Sequence, residues 1–379
     1  MTQTTACITL SMLAAGRLGL NDAKALHDMA GSATAVLENR NDIRSIAPEA
    51  SDRLCEIMKQ DITDVCSRAE EEERWCNDHG IKILCIDDAD YPSRLKHCTD
   101  APLVLYVRGD ANLNASHAID IVGTRQCTPY GRDVIDKIIG DLATLCPGIT
   151  INSGLAYGVD IAAHRAALQH SLPTVGVVAH GHDTLYPALH KKEASEMINN
   201  GGAVITEYSR GTRPEARNFL QRNRIIAGIS DATIVIESAS HGGGLVTARI
   251  ALDYGREVFA VPGPVNAEYS KGCNNLIRDN KAQLITSAQD IVNVMGWQHA
   301  EELQKARQAG ISRSMFAEET LTDGERLMVR FLREHGDSQV NDMAAQTGMS
   351  ISTINSALFS LEMQGIVKPL SGNFYHLIG

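Results

Sequence analysis

The stretch Ala118-Ile119-Asp120-Ile121-Val122-Gly123-Thr124-Arg125 decides the fold. A short, largely apolar run ends in a glycine, and a helical pattern follows. The run does not alternate polar with apolar residues, which is how a strand covered on both faces reads. Similar runs stand at 148–152, 174–179, 203–207, 232–237, 257–261 and 283–286, with helical patterns between them. Further glycine-bearing turns are Ser153-Gly154-Leu155-Ala156-Tyr157-Gly158, Gly181-His182, Ser240-His241-Gly242-Gly243-Gly244 and Pro262-Gly263-Pro264. Strand, glycine turn and helix in repetition predict an α/β fold with a doubly wound parallel sheet. The turns then gather at the carboxyl ends of the strands, where such sheets bind ligands.

Outward from this centre, the 379 residues exceed one typical domain. Residues 1–75 read as a small helical domain with N-cap signals at Asn21-Asp22, Asn41-Asp42 and Ser51-Asp52. Residues 80–297 form the α/β domain, opened by strand-like runs at 81–86 and 103–107. The polar segment 298–321 reads as a linker. Residues 322–379 give three helices, over 325–334, 340–346 and 351–363, and a hairpin at 366–370 and 374–377, which is a winged helix-turn-helix layout. No apolar run approaches the length of a membrane span, and the N-terminus lacks a basic leader. Nine cysteines, scattered with no C-x-x-C pair, argue against zinc and disulfides and for the cytoplasm.

The net charge of −11 argues against a polyanionic partner unless the positive charge is concentrated. It is: residues 210–224 carry five arginines and one acid, Glu215. Within them Phe219, Arg222, Asn223 and Arg224 interleave an aromatic, an amide and guanidinium groups before an apolar run. Such groups bind phosphates and base edges and stack on unpaired bases. The same run also reads as a solvated charged face. The half-burial of Arg222 and Arg224 implied by Ile225-Ile226-Ala227 speaks against that.

Around this run stand the other candidates. Gly123, Thr124 and Arg125 offer backbone N–H groups, a hydroxyl and a guanidinium to a phosphate. Ser153 and Gly154 open a helix, as do Gly243 and Gly244, with Thr247 one turn further on. Asp160 and His164 share a helical face and read either as a structural pair or as acid and base. His180 and His182 lack a third ligand at metal-like spacing, so no metal is expected. The glycine loops do not match G-x-G-x-x-G and no Walker lysine follows them, so neither NAD nor ATP is expected as a cofactor.

Taken together, Val122-Gly123-Thr124-Arg125, Ser153–Asp160 with His164, Tyr186-Pro187, Phe219 with the 222–230 run, Gly243–Ala248, Val258–Gly263 and Ser270–Ile277 resemble the DprA (Smf) family of DNA-processing proteins. The resemblance implies an extended Rossmann domain that binds single-stranded DNA. It further implies loading of the recombinase RecA during natural transformation, homodimerisation through the Rossmann domain, and no catalytic reaction. On this reading Arg125, Arg222, Arg224 and Lys191 neutralise phosphates, the N–H groups of Gly154, Gly243 and Gly244 support them, and Phe219 or Tyr186 stacks a base. Three departures stand out: Leu220 where relatives typically have proline, Asn280 where they often have glycine, and Ala14-Ala15-Gly16-Arg17-Leu18-Gly19-Leu20 where the N-terminal domain often carries a Gly-Ile-Gly hairpin for backbone phosphates.

Two other readings remain open. One is a nucleotide phosphoribohydrolase-like enzyme, although the glutamate of that family's glycine-rich motif has no counterpart after Thr247. The other is a transcription regulator that reads duplex DNA through its winged helix. From Thr322 onward there are four basic residues and six acids, and residues 351–364 contain no lysine or arginine. Major-groove readers need cations, so a protein-contact or dimer role is expected for this module.

Overall fold

The computed structural model describes residues 1–297, 321–336, 338–364, 366–370 and 374–377. The expected linker, apart from Leu321, and the turn of the C-terminal hairpin lie outside the described residues. Two compact units divide the chain, Met1–Val294 and Met295–Gly379.

The first unit is built on nine strands: β1 (Lys82–Cys85), β2 (Val104–Gly109), β3 (Ala118–Val122), β4 (Thr150–Ser153), β5 (Thr174–Val177), β6 (Ala203–Thr206), β7 (Ala232–Val235), β8 (Glu257–Ala260) and β9 (Gln283–Leu284). Their spatial order is β1-β2-β6-β5-β4-β3-β7-β8-β9. From β6 to β9 every pairing is parallel, as the unalternating runs predict. The departure is at one edge, where β1 pairs antiparallel with β2 and β2 with β6.

The order reverses at β3, whose neighbours are β4 and β7. Connections leaving the carboxyl ends of β3 and β7 therefore diverge and open a crevice between them. β3, β4, β5, β6 and β7 are buried along their length, because helices cover both faces. A polar group is nevertheless sealed inside. Asp120 of β3 has no exposed surface and accepts from Thr233 Oγ1 at 2.9 Å, while its Oδ2 has no partner. Burial holds its carboxyl well above the ordinary range.

The N-terminal helices, among them Gln3–Leu13, Leu20–Ala30, Asp52–Lys59 and Thr63–Asp78, follow local signals. Ser51 Oγ accepts from Leu54 N, and Gly31 closes its helix in the left-handed region at φ +80°. Their apolar faces share one core with the sheet edge: Ala6, Ile8, Leu10 and Met58 are buried in the same cluster as Leu84, Leu103 and Leu105. At the far end of the unit, Asn280 takes φ +52°, a conformation asparagine tolerates better than most residues, which explains asparagine at that position.

The second unit contains helices Asp323–His335, Val340–Thr347 and Ile351–Met363 and the strands Ser338–Gln339, Val367–Leu370 and Phe374–Leu377. Thr322 and Glu325 form a reciprocal capping box. Met328, Leu332, Met343, Ile354, Leu358 and Leu361 make its core. The third helix exposes Ile351, Phe359 and Met363.

Candidate nucleic-acid interface

The crevice beside β3 is a cavity of about 660 Å³. One wall is the turn Val122–Gln126 after β3. The opposite wall is the loop Ser238–Gly244 after β7, which leads into helix Gly243–Asp253. A third is helix Ala216–Gly228, which presents Phe219, Leu220, Arg222 and Asn223. Of the residues singled out from sequence, Gly123, Thr124, Arg125, Phe219, Arg222, Asn223, Gly243, Gly244 and Thr247 are brought together here.

Close approach of backbone to backbone builds the walls. A Cβ on Gly244 would lie 3.0 Å from the Cα and N of Gly123. Gly158 has φ +78°, and a Cβ there would overlap the carbonyls of Thr124 and Arg125. The turn also closes hydrogen bonds to its neighbours: Thr124 N donates to Glu237 O at 2.7 Å, and Val159 N to Thr124 O at 3.1 Å.

Arg125 is exposed, with its guanidinium carbon 5.5 Å from the centroid of the half-buried Phe219 ring. The Arg222 guanidinium is 6.0 Å from the same centroid, and the Tyr186 ring is 5.8 Å away. Phe219 is thus the hub of the rim. Tyr186 is exposed beside it, and Asn223 turns a nearly buried amide to the cavity.

Arg222 and Arg224 behave differently from the phosphate ligands expected of them. Arg222 is 4% exposed and donates to Gly154 O at 2.6 Å and to Val177 O. Burial pulls it down to about 10, with Asp160 opposing the shift, so it stays charged at neutral pH. Asp160 in turn is raised by burial and lowered by Arg222. This pair forms the polar floor of the cavity. Arg224 must be corrected. It is sealed against Glu207, with side-chain exposures of 6% and 7%, and does not line the cavity. The helix geometry explains this: Arg222 and Arg224 are two residues apart and leave the helix on different sides.

Four further expectations are corrected. Ser153 Oγ is fully buried and donates to Ile121 O at 2.7 Å. Gly154 does not line the cavity, and its carbonyl receives Arg222 Nη1. Lys191 is exposed but borders a second cavity, of about 380 Å³, with Arg108, His180 and His182. His180 and His182 are bound to the chain itself. Tyr186 N donates to His180 Nε2 at 3.1 Å, and His182 Nε2 lies 3.0 Å from Tyr106 O. The Asp160–His164 pair does not form: His164 Nδ1 is 2.7 Å from Thr174 Oγ1 and its ring is fully buried.

Arg210 also leaves the basic run. It pairs with Glu71 at 3.5 Å, Glu72 at 3.8 Å and the Trp75 ring, tying the loop before helix Ala216–Gly228 to helix Thr63–Asp78. Arg213 and Arg217 remain exposed. Tyr157, Gln126 and Tyr269 line the cavity and were not anticipated as site residues. Tyr157 stands inside a quoted glycine loop and was findable there. Tyr269, whose hydroxyl donates to Gln126 Oε1 at 2.6 Å across 143 residues, carries no local signal.

The molecule is therefore an α/β protein with a glycine-walled, arginine-rimmed crevice at the switch point of its sheet and a C-terminal winged helix. The family profile described as DNA recombination-mediator protein A matches residues 82–296, and the DprA winged helix domain matches 317–373. The chain belongs to the DprA (Smf) family. A putative DNA processing protein DprA of Mycobacterium tuberculosis is 35% identical over 309 residues, 78% of this chain and 77% of its own. Protein Smf of Escherichia coli is 33% identical over 307 residues, 80% and 79% of the two chains. The X-ray structure of DprA from Streptococcus pneumoniae superposes with a TM-score of 0.60 at 29% identity, covering 75% of this chain and 97% of that one. DNA processing protein A from Helicobacter pylori, a structure described for its single-stranded DNA binding mode, gives 0.52 at 30% identity over 57% and 96%.

Proposed function

We propose that this protein binds single-stranded DNA in the crevice beside β3 and helps load RecA onto it in DNA processing during transformation and recombination. The observation that carries the reading is the juxtaposition of the exposed Arg125 guanidinium with the Phe219 ring at the mouth of the cavity. An unpaired strand offers alternating phosphates and free base faces, and this rim offers a cation and an aromatic side by side. The Gly243 and Gly244 N–H groups, at the start of helix Gly243–Asp253, supply further donors. Arg213 and Arg217 are further exposed cations, just before and at the start of helix Ala216–Gly228. The relationship to the Helicobacter pylori protein supports the same ligand.

The reading includes a homodimer through the sheet domain, a cytoplasmic location, the division into 1–75, 80–297 and 322–379, and a binding role without catalysis. The enzyme alternative loses support because His164 is buried against Thr174 and does not line the cavity, and Asp160 Oδ2 accepts from Ala156 N at 3.4 Å. The duplex reader loses support because helix Ile351–Met363 carries no cation.

The test is binding of the full chain to labelled oligonucleotides, unpaired against duplex, over a salt series. With about three phosphates neutralised, the log–log slope for a single strand is expected near −2. A slope near zero, or a preference for duplex, would refute the proposal. Release of free base from a nucleoside monophosphate would favour the enzyme.

A further inference from the structure

Glu237 follows β7 and is 4% exposed, an acid buried beside a cavity that is otherwise suited to anions. It does not line that cavity, and among the described residues no cation forms an ion pair with it. Its donors come instead from the Arg125 turn. Thr128 N donates to its Oε2 at 2.8 Å and Thr128 Oγ1 to its Oε1 at 2.6 Å. Its own backbone carbonyl receives Thr124 N at 2.7 Å. One residue therefore holds both feet of the turn, Thr124 and Thr128, with Arg125 between them.

The same residue joins the two walls. Directly after it comes Ser238, the first residue of the opposite loop, and a Cβ on Gly123 would lie 2.6 Å from Glu237 O. Thr128 Oγ1 also accepts from Gly131 N at 3.2 Å, so the carboxylate is continuous with the cap of helix Pro129–Leu145. Between the feet the turn is tied internally by Gln126 N to Thr124 Oγ1 at 3.1 Å and Cys127 Sγ to Thr128 O at 3.7 Å, and from outside by Arg132 Nη1 to Cys127 O at 2.8 Å and Tyr269 Oη to Gln126 Oε1 at 2.6 Å. Among the described residues none forms a hydrogen bond or ion pair with Arg125, whose head group lies against Phe219. Its placement is set by the anchoring of the turn.

We propose that Glu237 is the positioning residue of the interface: its carboxylate fixes the Arg125 turn at the height from which the guanidinium reaches a phosphate while lying against Phe219. The negative charge is a cost near a polyanion. It is tolerated because two N–H/O–H donors satisfy it and the turn screens it from the cavity. This inference rests on the single-stranded DNA reading and adds a residue that touches no DNA.

The experiment uses the full chain with Glu237→Ala, Glu237→Gln, Arg125→Ala and the double variant Glu237→Ala/Arg125→Ala. Affinity for unpaired oligothymidylate is read over a salt series, and amide exchange over residues 124–128 by mass spectrometry. Glu237→Ala is expected to weaken binding about tenfold and to reduce the magnitude of the salt slope by about 0.7, the loss of one phosphate contact on a single strand. Arg125→Ala is expected to do the same, and the double variant to be no worse than either, because the two act as one unit. Glu237→Gln, whose amide oxygen accepts from Thr128 N and whose NH₂ donates to Thr128 Oγ1, is expected to bind within about twofold of the native chain. Additive losses, an unchanged slope in Glu237→Ala, or a glutamine variant as weak as alanine would overturn the assignment.

The two readings fail separately. If the native chain binds no unpaired oligonucleotide, the DNA reading falls. The positioning role is then judged by exchange alone: faster exchange at Thr128 and its neighbours in Glu237→Ala upholds it, and unchanged protection overturns it. Should Glu237→Ala not fold, Thr128→Val deletes the hydroxyl arm together with the cap on Gly131 N, and Thr128→Ser, which keeps both, is its control. A smaller slope change of the same sign upholds the role, and none overturns it.

Discussion

The guanidinium of Arg125 and the ring of Phe219 meet 5.5 Å apart although 94 positions separate them in sequence. The two have separable physical duties. Phe219→Ala is expected to weaken binding of an unpaired oligonucleotide by about 1–3 kcal/mol, the contribution of a stacked base, with the salt slope unchanged. Phe219→Trp is expected to retain binding. Arg125→Ala should instead reduce the slope by about 0.7. Fluorescence anisotropy over a salt series separates the two signatures.

Arg224 is predicted to matter for folding and not for contact with DNA. Its guanidinium and the Glu207 carboxylate are buried together, and Glu207 is raised by burial against the pull of Arg224. Arg224→Ala strands a buried carboxylate and is expected to cost roughly 3–5 kcal/mol in urea unfolding. Replacing both by apolar residues, Glu207→Leu with Arg224→Met, is expected to recover most of that loss. The salt slope of the recovered variant should match the native one.

Two buried groups give opposite pH dependences of stability. Burial pulls His164 down to about 3, with His190 and Arg222 adding to the shift. Thr174 Oγ1 donates to Ile151 O, so the imidazole donates through Nδ1, while burial keeps the ring neutral. Between pH about 6.5 and 3 the unfolded chain binds the proton and the native chain does not, so this contribution falls on acidification by roughly 1.4 kcal/mol per unit. Asp120, raised by burial, acts in reverse: above its unfolded value near 3.9 the native chain keeps a proton that the unfolded chain releases, and stability falls as pH rises. His164→Asn is therefore expected to flatten the acid side of the profile and Asp120→Asn to steepen it, as read by thermal unfolding from pH 4 to 7.

Gly158→Ala tests the wall itself. At φ +78°, with the Thr124 and Arg125 carbonyls against the missing side chain, a methyl group forces the turn away. A loss of about 1–3 kcal/mol in stability is expected. The weakening of oligonucleotide binding should follow that of Arg125→Ala. Gly148→Ala, at φ +80° in open space, is the control that carries the backbone strain without the clash.

Local chemistry made much of the molecule legible. The unalternating runs gave every strand of the parallel region to within a residue or two at most ends, because burial on both faces leaves no polar period to misread. The three helices of the C-terminal module lie where the sequence places them to within a residue or two, the first two ending at Gly336 and Gly348. The antiparallel edge β1–β2 was less visible, since strand direction is a property of the pairing and leaves no mark in composition. Among the site residues, Gly123, Arg125 and Phe219 were legible because a glycine turn and an isolated aromatic beside arginines carry their own signal.

The division of labour among the arginines was settled only by packing. Arg125, Arg210, Arg222 and Arg224 are chemically equal in a list of residues. Folding leaves Arg125 at the rim, ties Arg210 to Glu71 and Glu72, sinks Arg222 beneath the cavity and locks Arg224 to Glu207. A guanidinium's role depends on which carboxylates and carbonyls arrive beside it, and those come from remote parts of the chain. Periodicity and turn chemistry act over a few residues and fixed the elements; electrostatic partnership acts through space and waited for the sheet to close.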